Sequence, residues 1–376
     1  MNFTISKNAF YHGLSNVAKA IVVNSPLPQL SGIKIDVLEN QIVLTASDSD
    51  LSIEHRLYLS DPNTKLNITE IGSVVIDARY LNDIVRKLED DVIHVELIDG
   101  ALVKIFDNLA DFRINGMKAS QYPKIDFSEP ELSFTMKSEV LSNAINQTLF
   151  ATSDRETRPV LTGVNFNYKA EDKKLVVIAT DSYRLAHKTL SLENVDKDFN
   201  ITIPRKALNE LLRMIENHEE INISLDEKKI QFQFDHLLIQ SRLLDGLFPE
   251  TKRLIPTQFV TEIKTQMKQL VRAIDRASFI KSEGVSTVKF DIISDEIVIT
   301  NTSQEMGSFK ESISIDEFKG EPLKISFSSR FMIEALRSLN TLDVQIKFAG
   351  DMRPFLIINP NDESIIQLVL PVRSYD

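Results

Sequence analysis

The sequence predicts an α+β fold of three similar domains in tandem, each made of two successive β-α-β-β-β halves. Three observations carry that expectation. One order of apolar patterns recurs from near Phe3, Phe134 and Ile263. The repeats are about 125 residues apart, far longer than a solenoid unit and large enough for each to hold its own core. The second helix of every repeat also aligns with the others without a gap.

Each repeat opens with a short strand and then a helix whose apolar residues fall at helical spacing. These are Phe10, Leu14, Val17 and Ile21 in the first repeat, Leu141, Ile145 and Leu149 in the second, and Leu270 and Ile274 in the third. Strand patterns follow in all three, as in Ile33 to Val37, Leu175 to Ile178 and Glu296 to Ile299. A second strand and helix come next: Val75-Ile76 leading to Leu81, Ile84, Val85 and Leu88; Ile201 to Ile203 leading to Leu208, Leu211, Leu212 and Ile215; and Ile325 to Phe327 leading to Met332, Ala335, Leu336 and Leu339. Further strands close each repeat, at Val92 to Ile98, Ile221 to Leu225 and Val344 to Phe348. The domains are expected at 1–126, 127–254 and 255–376, because the strand patterns end in Phe127-Ser128-Glu129-Pro130 and in Leu254-Ile255-Pro256.

Composition narrows the function. No segment approaches the ~20 apolar residues of a membrane span, and the start has no apolar stretch of signal-peptide length, so the cytoplasm is the expected location. With no cysteine among 376 residues there is no disulfide framework, thiolate metal site or cysteine nucleophile. A net charge of −11 argues against an overall basic nucleic-acid binder.

Catalytic signatures are missing as well. The eleven glycines form neither a phosphate loop nor a dinucleotide-binding turn. The six histidines, His12, His55, His94, His187, His218 and His236, are scattered without ligand spacing, and each reads as a surface or strand residue. Asp48-Ser49-Asp50 and Asp181 read as turn residues, because the first lacks the glycine and glutamate of a calcium loop and the second stands alone. A binding scaffold is expected, with no catalytic residue, metal or cofactor.

One charge pattern survives the repeat. The second helix carries a basic residue at two matched positions, Arg79, Lys206 and Arg330 at one and Arg86, Arg213 and Arg337 at the other. The two are seven residues apart, about two helical turns, so each pair shares a face. Asp83, Glu210 and Glu334 fall at matched positions between them, so a solvated face held by intrahelical ion pairs is one reading. The other is that the helices face one anionic partner while the acidic remainder faces away, as in a ring with its helices inside. Such a lining would contact phosphates without reading bases, and topology would hold the duplex.

Local words carry a resemblance. Thr180-Asp181-Ser182-Tyr183-Arg184-Leu185-Ala186 follows a strand, Leu244-Asp245-Gly246-Leu247-Phe248-Pro249 precedes a domain limit, and Leu370-Pro371-Val372-Arg373 lies near the end. With three domains of similar size they make the whole chain similar to the bacterial DNA sliding clamps, the beta subunits of the replicative DNA polymerase III. The resemblance implies a head-to-tail homodimer that closes as a ring around double-stranded DNA, with helices inside and sheets outside. It would act as a replication processivity factor, not an enzyme, and tether the replicative polymerase, the clamp-loader ATPase, and repair and translesion polymerases through short peptide motifs.

By the same resemblance, the peptide pocket is lined by Leu161, Thr180, Ser182, Tyr183, Arg184, Leu185, Pro256, Ser328, Phe331, Met352, Pro354, Leu368, Val369, Pro371, Val372 and Arg373. Leu161, Leu185, Phe331, Leu368 and Val369 read equally well as core, whereas a buried Arg184 or Arg373 would need a partner. The dimer contact implied is Phe112 and Ile114 against Phe279 and Ile280. Arg155 and Arg158 are candidate DNA contacts beside the six helix residues. The chain departs from the family in running on through Ser374-Tyr375-Asp376, in Tyr183 where histidine is also common, and in Asn24 where some relatives carry a basic residue. The alternative is a repeat-built adaptor that binds proteins and never encloses DNA.

Overall fold

The strands that lead into α-helices run into them without a loop, and three of them end on a capping side chain. In the computed structural model Ser6 Oγ accepts from the N–H of Ala9 at 3.4 Å, Asp77 from those of Arg79 and Tyr80 at 3.0 and 3.4 Å, and Ser328 Oγ from that of Phe331 at 3.5 Å. The structure describes residues 1–22, 25–216, 218–281 and 286–373. Asn24 and Ser374-Tyr375-Asp376 lie outside the described residues.

The first repeat runs β1 (Asn2–Ser6), α1 (Lys7–Val17), β2 (Gly32–Val37), β3 (Gln41–Ser47), β4 (Leu51–Tyr58), β5 (Asn67–Glu70), β6 (Gly72–Asp77), α2 (Ala78–Lys87), β7 (Val92–Asp99), β8 (Leu102–Phe106), β9 (Asp111–Asn115) and β10 (Met117–Lys118). The second runs β11 (Leu132–Lys137), α3 (Ser138–Asn146), β12 (Gly163–Lys169), β13 (Lys174–Thr180), β14 (Arg184–Ser191), β15 (Phe199–Pro204), α4 (Arg205–Ile215), β16 (Glu220–Leu225), β17 (Lys229–Phe234) and β18 (Leu237–Arg242). The third runs β19 (Thr261–Gln266), α5 (Met267–Ala277), β20 (Thr287–Ile292), β21 (Glu296–Ser303), β22 (Gly307–Ser314), β23 (Glu317–Gly320), β24 (Leu323–Ser328), α6 (Ser329–Ser338), β25 (Asp343–Phe348), β26 (Phe355–Asn359) and β27 (Asp362–Val369).

The order of two β-α-β-β-β halves is thus present three times, with one difference in pairing. The leading strand of each half joins the sheet of the other half, β1 beside β7 and β6 beside β2, and likewise in the later repeats. The helix after the leading strand packs on the strands that follow it, α1 on β3 and β4 and α5 on β21 and β22, and the leading strand joins the neighbouring sheet. Two apolar stripes also outrun their helices by more than the cap residue. α1 ends at Val17, leaving Ile21 half-buried beyond it, and Leu149 sits in a 3-10 turn after α3. Tightening of the last turn breaks the 3.6-residue period there.

The chain folds as two compact units, 1–139 with 209–243 and 140–208 with 244–376. The first holds the sheet β5-β1-β7-β8-β9 and a nine-stranded sheet, β10-β6-β2-β3-β4-β18-β17-β16-β11. The second holds another nine-stranded sheet, β15-β12-β13-β14-β27-β26-β25-β19-β23, and the sheet β22-β21-β20-β24. Each nine-stranded sheet contains one antiparallel seam between repeats: β4 on β18, with His55 opposite Leu237 and Leu51 opposite Ser241, and β14 on β27, with Arg184 opposite Val369 and Lys188 opposite Ile365. Among the described residues β9 and β22 are edge strands.

Candidate functional site

The word Thr180-Asp181-Ser182-Tyr183-Arg184 forms a tight turn between β13 and β14. Asp181 Oδ1 accepts from the N–H groups of Tyr183 and Arg184 at 2.9 and 3.1 Å, and Thr180 Oγ1 accepts from that of Ser182 at 3.1 Å. Ser182 takes φ 76°, so the turn presents Tyr183, 53% exposed, to solvent. The end of the chain is tied to this turn. Leu370 N–H donates to the Tyr183 carbonyl at 2.9 Å and Val372 N–H to the Ser326 carbonyl at 2.7 Å.

Arg184 is the residue this seam is built around. It is 4% exposed, and every face of its guanidinium is used. Nε donates to Asp181 Oδ2 at 3.0 Å, Nη2 to the Phe150 carbonyl at 2.6 Å, and Nη1 to Glu334 Oε2. Its central carbon lies 4.5 Å from the Phe331 ring centroid and 5.2 Å from that of Phe150. The partner that the sequence required is therefore a pair of carboxylates and a carbonyl, which keeps a desolvated guanidinium tolerable.

The other expected pocket residues divide by exposure. Leu185 and Leu368, opposite each other across the seam, join Ile178 and Leu356 in an apolar cluster that Phe248, Ile255 and Leu370 cover. Val369 is fully buried in the core of the third repeat, and Leu161 and Thr180 are buried too. Ser328 caps α6, with Phe331 half-buried one turn on. Pro256 is half-buried in the segment before β19, while Met352 and Pro354 lie between β25 and β26. Pro371 is half-buried, and Val372 and Arg373 are exposed. Ser182, Tyr183, Pro256, Ser328, Phe331, Met352, Pro354, Pro371, Val372 and Arg373 are thus the exposed or half-buried members of the expected set, and the others are buried.

All six matched basic residues on α2, α4 and α6 are exposed, as are Arg155 and Arg158 in the turn before β12. The intrahelical pairs are present as well: Arg86 with Asp83 at 3.0 Å, Arg213 with Glu210 at 2.8 Å, and Arg330 with Glu334 at 3.0 Å. Glu334, through its hydrogen bond and its charge, holds the Arg330 guanidinium above its ordinary pKa. Exposed pairs of this kind contribute little to stability, so these arginines can exchange their partners for phosphate.

Family models match the chain in sequence order: the N-terminal domain of the DNA polymerase III beta subunit over residues 1–126, its central domain over 135–250 and its C-terminal domain over 252–373. The chain belongs to this family. It is 39% identical over 380 residues to the beta sliding clamp of Bacillus subtilis, with both chains fully covered. The crystal structure of the Bacillus subtilis DNA polymerase sliding clamp superposes with TM-score 0.96 at 38% identity, covering all of both chains. A sliding clamp from Bartonella birtlesii, bound to griselimycin, superposes with TM-score 0.93 at 27% identity and the same coverage. The chain is accordingly a sliding clamp of DNA replication, a non-catalytic subunit of DNA polymerase III, and the alternative of a repeat-built adaptor that does not encircle DNA is not favoured.

In this sliding clamp the expected dimer residues lie at or near edges. Phe112 and Ile114 are half-buried on the edge strand β9; Phe279 is 73% exposed just after α5, whereas Ile280 is 8% exposed and its carbonyl accepts from Asn301. The histidines are less scattered than their spacing suggests. Four of the six, His12, His55, His218 and His236, line one cavity of about 790 Å³ beside the β4–β18 seam, with Lys19, Arg213 and Asp235. The His12 and His55 rings meet edge to face at 5.8 Å, and His218 Nδ1 lies 3.0 Å from Asp235. Burial, with the charges of His12 and His236, pushes His55 down to about 4, and His55 Nδ1 has no hydrogen-bond partner. Among the described residues no group of three or more such side chains could hold a metal ion. No helix among them is long and apolar enough to cross a membrane.

Proposed function

We propose that this clamp acts as a cytoplasmic, head-to-tail homodimeric ring that encircles duplex DNA and holds the replicative polymerase, the clamp loader and repair polymerases by short peptides at the β14–β27 seam. The observation that carries the reading is the repeated seam. β4 and β14 are the last strands of equivalent first halves, and β18 and β27 of equivalent second halves. In the same places the third and first repeats have β22 and β9, both edge strands. A β22–β9 pairing between two copies repeats the seam and removes both exposed edges. Phe112 and Ile114 then face Phe279 and Ile280 of a second copy. Phe279→Asp should yield a folded monomer in sedimentation, and an unaltered dimer would reject this contact.

Arg79, Arg86, Arg155, Arg158, Lys206, Arg213, Arg330 and Arg337 are the proposed phosphate contacts, all on exposed positions. Domain limits of 1–126, 127–254 and 255–376 go with this reading, supported by the three tandem family matches. Ser182, Tyr183, Phe331, Met352, Pro354, Pro371, Val372 and Arg373 form the docking surface, supported by the buried Leu161, Leu185, Leu368 and Val369. Retention on DNA tests the whole. The protein is loaded onto a nicked circle with its cognate loader and ATP, and the circle is then cut. Loss on cutting is the expected result; undiminished retention on linear DNA with free ends would mean ordinary affinity binding and no ring.

A further inference from the structure

Glu334 stands between two arginines with different surroundings. Its Oε2 accepts from the buried Arg184, which packs against Phe331 at the β14–β27 seam. Its Oε1 accepts from Nε of Arg330 at 3.0 Å, and that side chain is 63% exposed. Arg330 and Phe331 are neighbours on α6, one turn before Glu334. One carboxylate, about a third exposed, therefore divides its two oxygens between the support of the docking surface and the exposed basic residue.

We propose that Glu334 is a positioning residue that couples peptide docking at the β14–β27 seam to DNA phosphate at Arg330. The inference rests on the assignment of those two surfaces given above. A phosphate that engages Arg330 competes for its guanidinium and repels the carboxylate, so Glu334 turns fully toward Arg184. The hold on Arg184 tightens, and the stack of its guanidinium on Phe331 is fixed before the peptide arrives. Ordering that the peptide would otherwise have to impose is then already in place. Coupling of this kind is reciprocal, so a bound peptide strengthens the DNA contact by the same factor.

The test uses a fluorescent synthetic decapeptide with adjacent Leu and Phe anchors, titrated against the free dimer and against clamp loaded on nicked circles. The wild type should bind about five-fold tighter when loaded, at the low end of measured couplings. Glu334→Gln should bind the peptide with one affinity in both states. If Glu334→Gln fails to fold, Glu334→Asp takes its place, because the shorter carboxylate keeps its charge but reaches only one of the two guanidinium groups, and its affinity should again be independent of DNA. Equal wild-type affinities in the two states would overturn the proposal, as would a five-fold difference that persists in the variant. Absence of any peptide binding by the wild type would instead reject the docking surface itself.

Discussion

The two seams within the chain share a backbone and differ in their buried chemistry. At the first, Asp48 Oδ1 accepts from the N–H groups of Asp50 and Leu51, Ser47 Oγ from that of Ser49, and Ser49 takes φ 86°. Asp181, Thr180 and Ser182 repeat this turn at the second. Even the tethers match: Arg242 N–H to the Asp50 carbonyl at 2.8 Å and Leu244 N–H to the Thr202 carbonyl at 2.9 Å mirror those of Leu370 and Val372. Where the second seam buries Arg184, however, the first buries Leu51. Where the second has Phe150, the matched position after α1 holds Lys19, whose pKa burial lowers and the charge of Glu210 raises. A cation thus stands by the helix glutamate in both seams, but it comes from the helix end in one and from the strand in the other. Repetition sets the ladder and the turn, and the placement of one cation decides which seam gathers the aromatic rings of Phe150 and Phe331 around it.

Breaking the Arg184 cluster should have the largest effect. Arg184→Ala leaves Asp181 without its ion pair and Glu334 with Arg330 alone, and removing one partner of a buried pair costs about 3–5 kcal/mol. Chemical denaturation should show that loss in the unit of residues 140–208 with 244–376. Replacing the pair by apolar side chains, with Arg184→Leu and Glu334→Leu together, should recover most of the stability, because apolar replacement of a whole buried pair is often neutral. Peptide binding should stay lost in the double variant. Recovery of binding would show that the arginine serves the fold alone.

Acid should separate the seams next. His55 pairs across the first seam at the place Lys188 occupies in the second. Lys188 donates to Asp362 Oδ2 at 2.9 Å; burial works against that carboxylate, but hydrogen bonds from Ser364 and Lys188 hold it below its usual range. His55, by contrast, is neutral in the fold, with its pKa pushed down to about 4. A histidine with a folded pKa below its unfolded value of about 6.5 binds more protons when unfolded, so its stabilisation is complete above that value and is lost as pH falls toward 4. The full loss is about 3 kcal/mol. Burial lowers His187 in the second seam as well, so the second seam weakens too. Protection factors of the β4 and β18 amides, corrected for the intrinsic rate, should fall more between pH 7.5 and 5 than those of β14 and β27, and His55→Phe should remove the excess.

Much of this was legible in the sequence, because the repeat, the helix faces and the strand alternation are local periodicities. Arg184 could be recognised as needing a partner, but Glu334 is 150 residues away and looked like one more member of the intrahelical pairs. Its second oxygen is what local spacing cannot show. The histidine cavity escaped for the same reason: His12 and His55 come from the first repeat and His218 and His236 from the second, and only the β4–β18 register brings them together. Buried and exposed positions were mixed because one run of sequence holds both: Leu368 and Val369 are buried, whereas Val372 and Arg373 are exposed.

The smallest expected effect separates fold from function at a single backbone position. Ser49 and Ser182 hold φ values of 86° and 76°, in a left-handed region that costs a residue with a Cβ about 1–2 kcal/mol. Glycine relieves that strain but loses more entropy on folding, roughly 0.5–1 kcal/mol. Ser49→Gly and Ser182→Gly should therefore each raise stability by at most about 1 kcal/mol, read as a small increase in the denaturation midpoint. Each turn keeps its Asp side-chain bonds and the backbone N–H bond to Ser47 or Thr180, since none of them uses the serine hydroxyl. Peptide titration then distinguishes the two positions. Ser49→Gly should leave affinity unchanged, whereas Ser182→Gly should weaken it severalfold if its hydroxyl meets the bound peptide beside Tyr183; equal affinities in both variants would remove Ser182 from the docking surface and leave it only a turn residue.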